Sequence, residues 1–146
     1  MSIRIAVTGK NGQVVRALSE AAQSENVVVI PVGRPDLDLA LPNTVEPALR
    51  AVAPDIVVNA AAYTAVDQAE REPEIAHLVN AVGAGAVAAA ARTLLVPVIH
   101  LSTDYVFDGD KKSAYVEEDP PSPANVYGAT KLAGESWLSG TIMMNT

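Results

Sequence analysis

The chain has 146 residues, 49% of them hydrophobic, which is enough to bury one core and predicts a single compact domain. A formal net charge of −7 argues against binding nucleic acid or an anionic membrane through bulk charge, and the lack of cysteine excludes disulfides, thiolate metal sites and a cysteine nucleophile. We find no signal-peptide pattern and no apolar stretch near the ~18 residues of a membrane span, so we expect a cytoplasmic protein with no membrane partner.

Short apolar runs alternate with helix-compatible stretches along the chain. The predicted strands are Ile3–Thr8, Val27–Val32, Ile56–Asn59 and Val98–Ser102, and the predicted helices cover 13–22, 44–53 and about 74–93. Continuous apolar runs indicate strands buried on both faces. Since parallel strands need helical crossovers, the order predicts an α/β fold, a doubly wound parallel sheet of Rossmann-like type, with ligands at the carboxyl ends of the strands. A polar, proline-punctuated segment over 109–123 predicts a loop that covers a site, and a helix follows over about 125–138.

The first predicted strand runs into a glycine loop that opens the first helix. Gly9 and Gly12 permit a tight turn and let a pyrophosphate approach the backbone, where the free N–H groups of the helix start favour an anion. Val15 stands where a third glycine normally allows close helix–strand contact. An ordinary strand–helix turn is therefore a competing interpretation.

The second predicted strand ends without the acidic residue that contacts the ribose 2′-hydroxyl in NAD-binding folds. Arg34 occurs there instead, either facing a 2′-phosphate, which favours NADP, or as a solvated loop arginine. Asp38 follows, either to accept a hydrogen bond from an adenine amino group or to cap a helix near Pro42. The sequence leaves both choices open.

The next two strands carry further candidates. Ala60–Ala62 follow the third strand and are small enough for a flat cofactor to lie against the backbone, or they form a tightly packed junction. Asn80 is a polar residue in an apolar stretch, so we expect it buried and hydrogen-bonded to a neighbouring strand or near the cofactor. His100 is predicted to be a satisfied core histidine, and the charged run 67–72 a solvated face.

Tyr127 and Lys131 form a candidate catalytic pair. Their i, i+4 spacing places both on one face of the last predicted helix. A lysine ammonium there is expected to stabilise tyrosinate and lower the phenol pKa from ~10, so that the phenol gives its proton to a carbonyl oxygen as hydride arrives at carbon. Thr103, at the neighbouring strand end, can hold the same oxygen.

Four motifs in this order resemble the extended short-chain dehydrogenase/reductases. They are Gly-x-x-Gly at 9–12, Asn-Ala-Ala-Ala-Tyr-Thr at 59–64, Ser-Thr-Asp-Tyr-Val-Phe-Asp-Gly at 102–109 and Val-Tyr-Gly-x-x-Lys-x-x-Gly-Glu at 126–135. The third motif, together with Thr-Ala-Val-Asp at 64–67, is similar to the dTDP-4-dehydrorhamnose reductases. The resemblance covers residues 1 to about 138.

The resemblance implies a role for individual residues. Tyr127 would be the catalytic acid, Lys131 its partner and a ligand of the nicotinamide ribose, and Thr103 the third catalytic group, with Thr103 and Asp104 beside the substrate. The other implied cofactor-binding residues lie at the loop and the strand ends: Gly9, Asn11, Gly12, Gln13, Arg34, Asp38, Leu39, Ala61, Ala62, Tyr63 and Thr64.

The implied reaction is the reduction of dTDP-4-dehydro-β-L-rhamnose to dTDP-β-L-rhamnose with NADPH or NADH, in the synthesis of a sugar donor for polysaccharide. A nucleotide-sugar substrate follows, as does a homodimer with Mg²⁺ between subunits and no metal site within the chain. Residues 1–138 would form the NAD(P)-binding domain and 139–146 an unmatched tail. The chain would be a truncated, inactive form that lacks a fifth strand and a C-terminal substrate domain.

Two alternatives stay open. One is another sugar-nucleotide epimerase or dehydratase on the same scaffold, and the other is a non-catalytic nucleotide-binding or regulatory module.

Overall fold

The structure, a computed structural model, describes residues 1–138 and the backbone of residues 142–145. Five parallel strands form one sheet: β1 (Ile3–Thr8), β2 (Val27–Val32), β3 (Ile56–Asn59), β4 (Val98–Ser102) and β5 (Ile142–Asn145). Their order is β2-β1-β3-β4-β5. The chain turns to the opposite side of β1 between β2 and β3, and such a reversal opens a crevice at the carboxyl ends of the flanking strands. The predicted fold class and the four predicted strands are confirmed.

β5 corrects the prediction that a fifth strand is missing. Its backbone pairs in parallel with β4, with Ile142 opposite Ile99 and Asn145 opposite Ser102. A run of four residues after Ser-Gly-Thr gives a weak strand signal, because its pairing depends on the free edge of β4, which is distant in sequence. Residues 139–141 and 146 of the predicted tail lie outside the described residues.

The described residues also form six α-helices. They are α1 (Gln13–Ala21), α2 (Val45–Val52), α3 (Val66–Ala69), α4 (Pro73–His77), α5 (Ala84–Leu94) and α6 (Val126–Glu135). A π-helical turn, Leu78–Gly83, joins α4 to α5. π-Turns inside helices often occur at functional sites. The long helix predicted over 74–93 is therefore confirmed, with an irregular centre that the sequence did not indicate.

The continuous helix Pro73–Leu94 corrects the expectation about membrane spans. It has 22 residues and is apolar enough, by length and composition, to cross a membrane. In the fold it contacts α2, α6 and β3, and 50% of its most apolar stretch is buried. A helix that is apolar on every side is also what a protein core requires. Length and composition are therefore weak grounds for a membrane span here.

Apolar side chains cover both faces of the sheet. On one face, strand residues such as Val57 pack with Leu49 of α2 and Val87 of α5, all fully buried. On the other face, Val7 and Val58 pack against Val15 of α1, which is 3% exposed. Each buried aliphatic side chain contributes about 1.5–3 kcal/mol. Val15, which departs from the glycine pattern, thus serves as the core contact of α1.

β2 departs from the prediction that all strands are buried on both faces. It is the edge strand of the sheet, and Val28 remains 40% exposed. Pro31 lies within β2, where the missing N–H group is tolerated because an edge strand has one unpaired side.

The predicted loop after β4 is held together by its own side chains. The rings of Phe107 and Tyr115 stack with centroids 4.4 Å apart, and the Tyr115 hydroxyl donates to Asp108 at 2.6 Å. Lys111 forms an ion pair with Asp119 at 2.5 Å. These contacts order the loop, and its role in covering a site stays a prediction.

Candidate functional site

A groove opens at the carboxyl ends of β1 and β3. At this point the chain leaves β1 towards β2 on one side and leaves β3 towards β4 on the other. Gly9, Ala61 and Ala62 line its middle and belong to both of its halves. The half towards β2 is lined by Asn11, Arg34, Asp38, Leu39 and Tyr63. The half towards β4 is lined by Gly12, Gln13, Thr64, Tyr127 and Lys131. The fold thus brings every residue predicted to bind a cofactor to one groove.

Hydrogen bonds fix the floor of this groove. The Thr8 hydroxyl accepts from the N–H groups of Ala60 and Ala61 at 3.0 and 2.9 Å, and donates to Asn59 Oδ1 at 2.8 Å. Both side chains are buried, so water does not compete for these bonds. The ends of β1 and β3 are therefore tied together, with the small alanines facing the groove.

The two glycines of the loop differ in what the fold requires of them. Gly9 has a φ of +103°, a conformation that side chains other than glycine rarely adopt. Gly12 has a φ of −71°, and a Cβ there would meet nothing within 4 Å. Gly12 therefore leaves open space beside the first N–H groups of α1, which suits the close approach of an anion.

Asn80, in the π-turn, is buried and hydrogen-bonded as predicted. Its Oδ1 accepts from the Tyr63 N–H at 2.8 Å, and its Nδ2 donates to the Tyr63 carbonyl at 3.0 Å and to Thr130 at 3.1 Å. The Thr130 hydroxyl donates to the Tyr127 carbonyl at 2.9 Å. One amide thus positions both a groove wall and the helix that carries Tyr127.

The charged side chains of 67–72 are exposed, which confirms the predicted solvated face, and two of its glutamates also form hydrogen bonds within the fold. Glu70 accepts from the Val126 N–H at 2.7 Å and so caps the start of α6. Glu72 accepts from the Tyr63 hydroxyl at 2.5 Å. This bond raises the pKa of Tyr63 and lowers the pKa of Glu72. The charged segment therefore supports the groove wall and α6.

The end of β2 presents two cations to the groove. The exposed Arg34 side chain has no hydrogen bond or ion pair within residues 1–138, so both interpretations of it stand. Lys10, which the sequence analysis missed, lies beside it, with its ammonium 3.5 Å from the Asp36 carboxylate. A Cβ on Gly33 would lie 3.1 Å from Lys10 Cγ, so the lack of a side chain at Gly33 lets the lysine stem pass close to the end of β2.

Asp38 is not a helix cap. Its Oδ1 accepts from the Ala40 N–H at 2.9 Å, and the turn Pro42–Thr44 has no side-chain cap. The capping interpretation is therefore wrong, and the adenine contact stays a prediction.

Tyr127 lies half-buried at the end of the groove nearest β4. Thr103, which is buried at the end of β4, lies close enough to lower the pKa of the Tyr127 phenol. Asp104 is exposed beside them and accepts from the Thr103 hydroxyl at 3.5 Å, while the Tyr105 ring meets Tyr127 edge-on with centroids 5.5 Å apart. The structure thus joins the predicted acid to the predicted substrate-side residues.

Lys131 does not act on Tyr127 as predicted. Burial raises the pKa of the Tyr127 phenol above its ordinary value, Tyr105 and Asp104 raise it further, and only the nearby Thr103 hydroxyl opposes them. The Lys131 ammonium donates to the Leu101 carbonyl at 2.6 Å, and burial lowers its own pKa to about 8. The expected lowering of the phenol pKa is therefore wrong for this arrangement, because the lysine is turned to the backbone of β4.

His100 is a core histidine that is satisfied on one side. Asn59 Nδ2 donates to its Nδ1 at 3.0 Å, because Asn59 Oδ1 already accepts from Thr8. Within the described residues its buried Nε2 has no hydrogen-bond partner. Burial, and then the charge of Lys131, lowers the pKa of His100 to about 4. The ring is therefore neutral near pH 7. The prediction that both ring nitrogens are hydrogen-bonded is wrong, because Nε2 has no partner within the described residues.

Glu135, the last residue of the fourth motif, had no predicted role. The hydroxyl of Ser102, the residue before Thr103, donates a hydrogen bond to the Glu135 carboxylate. Across residues 1–138, no group of three or more His, Asp or Glu side chains is placed to hold a metal ion.

Comparison with known proteins gives consistent matches. Residues 3–143 match the model of the family described as RmlD substrate binding domain. A dTDP-4-dehydrorhamnose reductase of Sinorhizobium fredii (strain NBRC 101917 / NGR234) is 56% identical over 133 residues, which are 91% of this chain and 45% of that protein. The chain spans about half the length of the curated relatives it matches.

Solved structures agree with this result. A dTDP-4-dehydrorhamnose reductase of Clostridium acetobutylicum ATCC 824 superposes with a TM-score of 0.91 at 36% identity, over 98% of this chain and 52% of that one. One from Bacillus anthracis strain Ames, in complex with NADP, has a TM-score of 0.90 at 37% identity, over 99% and 52% of the respective chains.

Proposed function

The chain belongs to the RmlD substrate-binding-domain family, and on that premise we propose that it forms the dinucleotide-binding and catalytic part of an NAD(P)H-dependent dTDP-4-dehydrorhamnose reductase. The observation that carries the proposal is the single groove that runs from Arg34 past the glycine loop to Tyr127, which lies near Thr103 at the end of β4. The substrate would be the nucleotide sugar dTDP-4-dehydro-β-L-rhamnose and the product dTDP-β-L-rhamnose. The relatives of that name support this choice.

The residues of the groove fit a nicotinamide dinucleotide. Gly12 leaves open space at the start of α1 for a pyrophosphate, and the alanine floor is flat enough for the rest of the molecule. Arg34, Asp38 and Leu39 would hold the adenylate end, and Lys131 the nicotinamide ribose. When bound, the cofactor supplies hydride to carbon 4 of the sugar.

The chain's own residues would then complete the reduction. Thr103 would hold the oxygen on carbon 4 by a hydrogen bond, and Tyr127 would give its phenolic proton to that oxygen. Because burial raises the pKa of Tyr127, its phenol is fully protonated near pH 7 and ready to act as an acid. Asp104, exposed next to Thr103, would contact the sugar.

Three proposals rest on the resemblance and the composition alone. They are a homodimer with Mg²⁺ between subunits, a cytoplasmic location, and the absence of nucleic-acid and membrane partners. The net charge of −7 supports the last of these.

An assay of cofactor consumption by the full-length gene product tests the function. We expect one NADPH to be oxidised for each 4-dehydro sugar added. An epimerase or dehydratase returns its hydride to the sugar and consumes no cofactor overall, and a non-catalytic module binds NADPH without turnover. Either of those outcomes would refute the reductase.

Arg34→Ala is expected to weaken NADPH binding about tenfold and NADH binding much less, because only NADPH carries a 2′-phosphate for a guanidinium to bind. Calorimetric titration of both cofactors measures this. Arg16→Ala is the control, since Arg16 is an exposed arginine that lines neither half of the groove. Equal losses for the two cofactors would leave Arg34 as a solvated loop residue.

Gly12→Ala is expected to leave the free energy of unfolding within about 0.5 kcal/mol of wild type, because its backbone is unstrained and its surroundings are open. NADPH affinity should fall roughly tenfold, because the methyl group occupies the space for the pyrophosphate. Chemical denaturation and calorimetry measure the two effects. Gly9→Ala, with its positive φ, should instead lose about 1–2 kcal/mol of stability. Unchanged NADPH affinity in Gly12→Ala would show that the pyrophosphate does not bind at this loop.

A further inference from the structure

Glu135 lies on the same face of α6 as the catalytic pair. Tyr127, Lys131 and Glu135 follow one another at intervals of four residues, so their side chains form one row along the helix. Two of them contact the last residues of β4: Lys131 donates to the Leu101 carbonyl, and Glu135 accepts from the Ser102 hydroxyl. The row therefore joins α6 to the strand end that leads into Thr103.

Lys131 is buried, and burial disfavours the charged ammonium form of its side chain. Its residue surface is 4% exposed, and removing an ammonium group from water costs several kcal/mol unless an opposite charge or hydrogen bonds compensate. Glu135 is partly buried on the next turn of the helix, and its negative charge raises the pKa of Lys131 against the larger effect of burial. The carboxylate thus favours the ammonium form of the lysine.

The other charged groups around α6 do not replace Glu135. His100 faces Lys131 from β4 but is neutral near pH 7, and Asp104 acts on Tyr127 from the turn after β4. Glu70 accepts a hydrogen bond from the first turn of α6. Arg92 of α5 donates to the carbonyl of Trp137, which follows the last turn of α6. Glu135 is therefore the carboxylate, within residues 1–138, whose charge supports Lys131.

We propose that Glu135 is a positioning residue of the active site. Its carboxylate holds Lys131 as an ammonium in the groove wall and anchors, through Ser102, the strand end that carries Thr103. This inference rests on the proposed function, in which Lys131 binds the nicotinamide ribose and Thr103 holds the substrate oxygen. Glu135 itself touches neither cofactor nor substrate.

A direct titration of Lys131 tests the proposal. The chain has only four lysines, so selective ¹³C labelling of their ε-carbons gives few NMR signals, and Lys131→Met identifies the relevant one. In Glu135→Gln, which keeps an oxygen acceptor for Ser102 but loses the charge, we expect the pKa of Lys131 to fall by about one unit, a tenfold change in its dissociation constant. Glu135→Asp, which withdraws the charge by one methylene, should give an intermediate value.

Glu20→Gln is the matched control, because Glu20 is an exposed glutamate near the end of α1 and should leave Lys131 unchanged. A folded Glu135→Gln protein with an unchanged Lys131 pKa would overturn the proposal. If Glu135→Gln does not fold, Glu135→Ala, which also removes the charge, decides in the same way, since a wild-type Lys131 pKa there excludes a charge effect.

The titration needs neither cofactor nor substrate, so its result is independent of turnover. A lowered Lys131 pKa in a protein that does not reduce the sugar would refute the proposed function and leave the role of Glu135 towards Lys131 intact. An unchanged pKa in an active reductase would do the reverse.

Discussion

Tyr127→Phe is expected to lower kcat by about 10²–10⁴-fold while NADPH affinity stays nearly unchanged. The substitution removes the phenolic proton but keeps the ring that packs edge-on against Tyr105. Steady-state kinetics and calorimetry on the full-length gene product measure the two quantities.

Tyr105→Phe is the control for this experiment. It removes a phenol from the neighbouring ring, which is exposed and has no predicted role in proton transfer. A Tyr127→Phe protein with the kcat of wild type would show that another group supplies the proton.

Lys131→Met is expected to abolish most turnover and yet stabilise the fold by about 2 kcal/mol at pH 7. The fall of the Lys131 pKa from 10.5 to about 8 corresponds to about 3 kcal/mol of destabilisation by the buried charge. Loss of the hydrogen bond to the Leu101 carbonyl offsets about 1 kcal/mol of the gain. Chemical denaturation of both proteins over a range of pH measures the difference.

The pH dependence separates a charge effect from better packing. Below pH 8 the lysine is charged in the folded and the unfolded state, so the cost of burying the charge is fully present. Between pH 8 and 10.5 the folded protein has lost the proton that the unfolded chain still binds, so wild-type stability rises and the advantage of Lys131→Met shrinks. A gain that is constant across this range, or no gain at pH 7, would contradict the account.

Much of the fold and of the groove follows from local sequence patterns. The strand runs and the residues directly after them predicted where Gly9, Ala61 and Thr103 would meet, because the carboxyl ends of parallel strands share one edge of the sheet. The burial of Asn80 also followed from its apolar surroundings. These features depend on residues within a few positions of each other.

The features that the sequence did not reveal depend on partners far apart in the chain. β5 needs the edge of β4, and Glu70 finds the start of α6 at a separation of 56 residues. The spacing of Tyr127 and Lys131 correctly predicts a shared helix face, but it does not say that the ammonium turns to the Leu101 carbonyl. Helical periodicity fixes the direction of a side chain, whereas its hydrogen-bond partner is set by tertiary packing.

Hydride reduction of a nucleotide sugar in this groove, with Tyr127 as the acid, is tested most directly with NADPH deuterated at the transferred position. The full-length gene product is given this cofactor and dTDP-4-dehydro-β-L-rhamnose, and the product is analysed by NMR. We predict one deuterium at carbon 4 of dTDP-β-L-rhamnose for each cofactor oxidised, and almost no labelled product from Tyr127→Phe. A rhamnose product without deuterium at carbon 4, or the same labelling rate from Tyr127→Phe, would contradict the account.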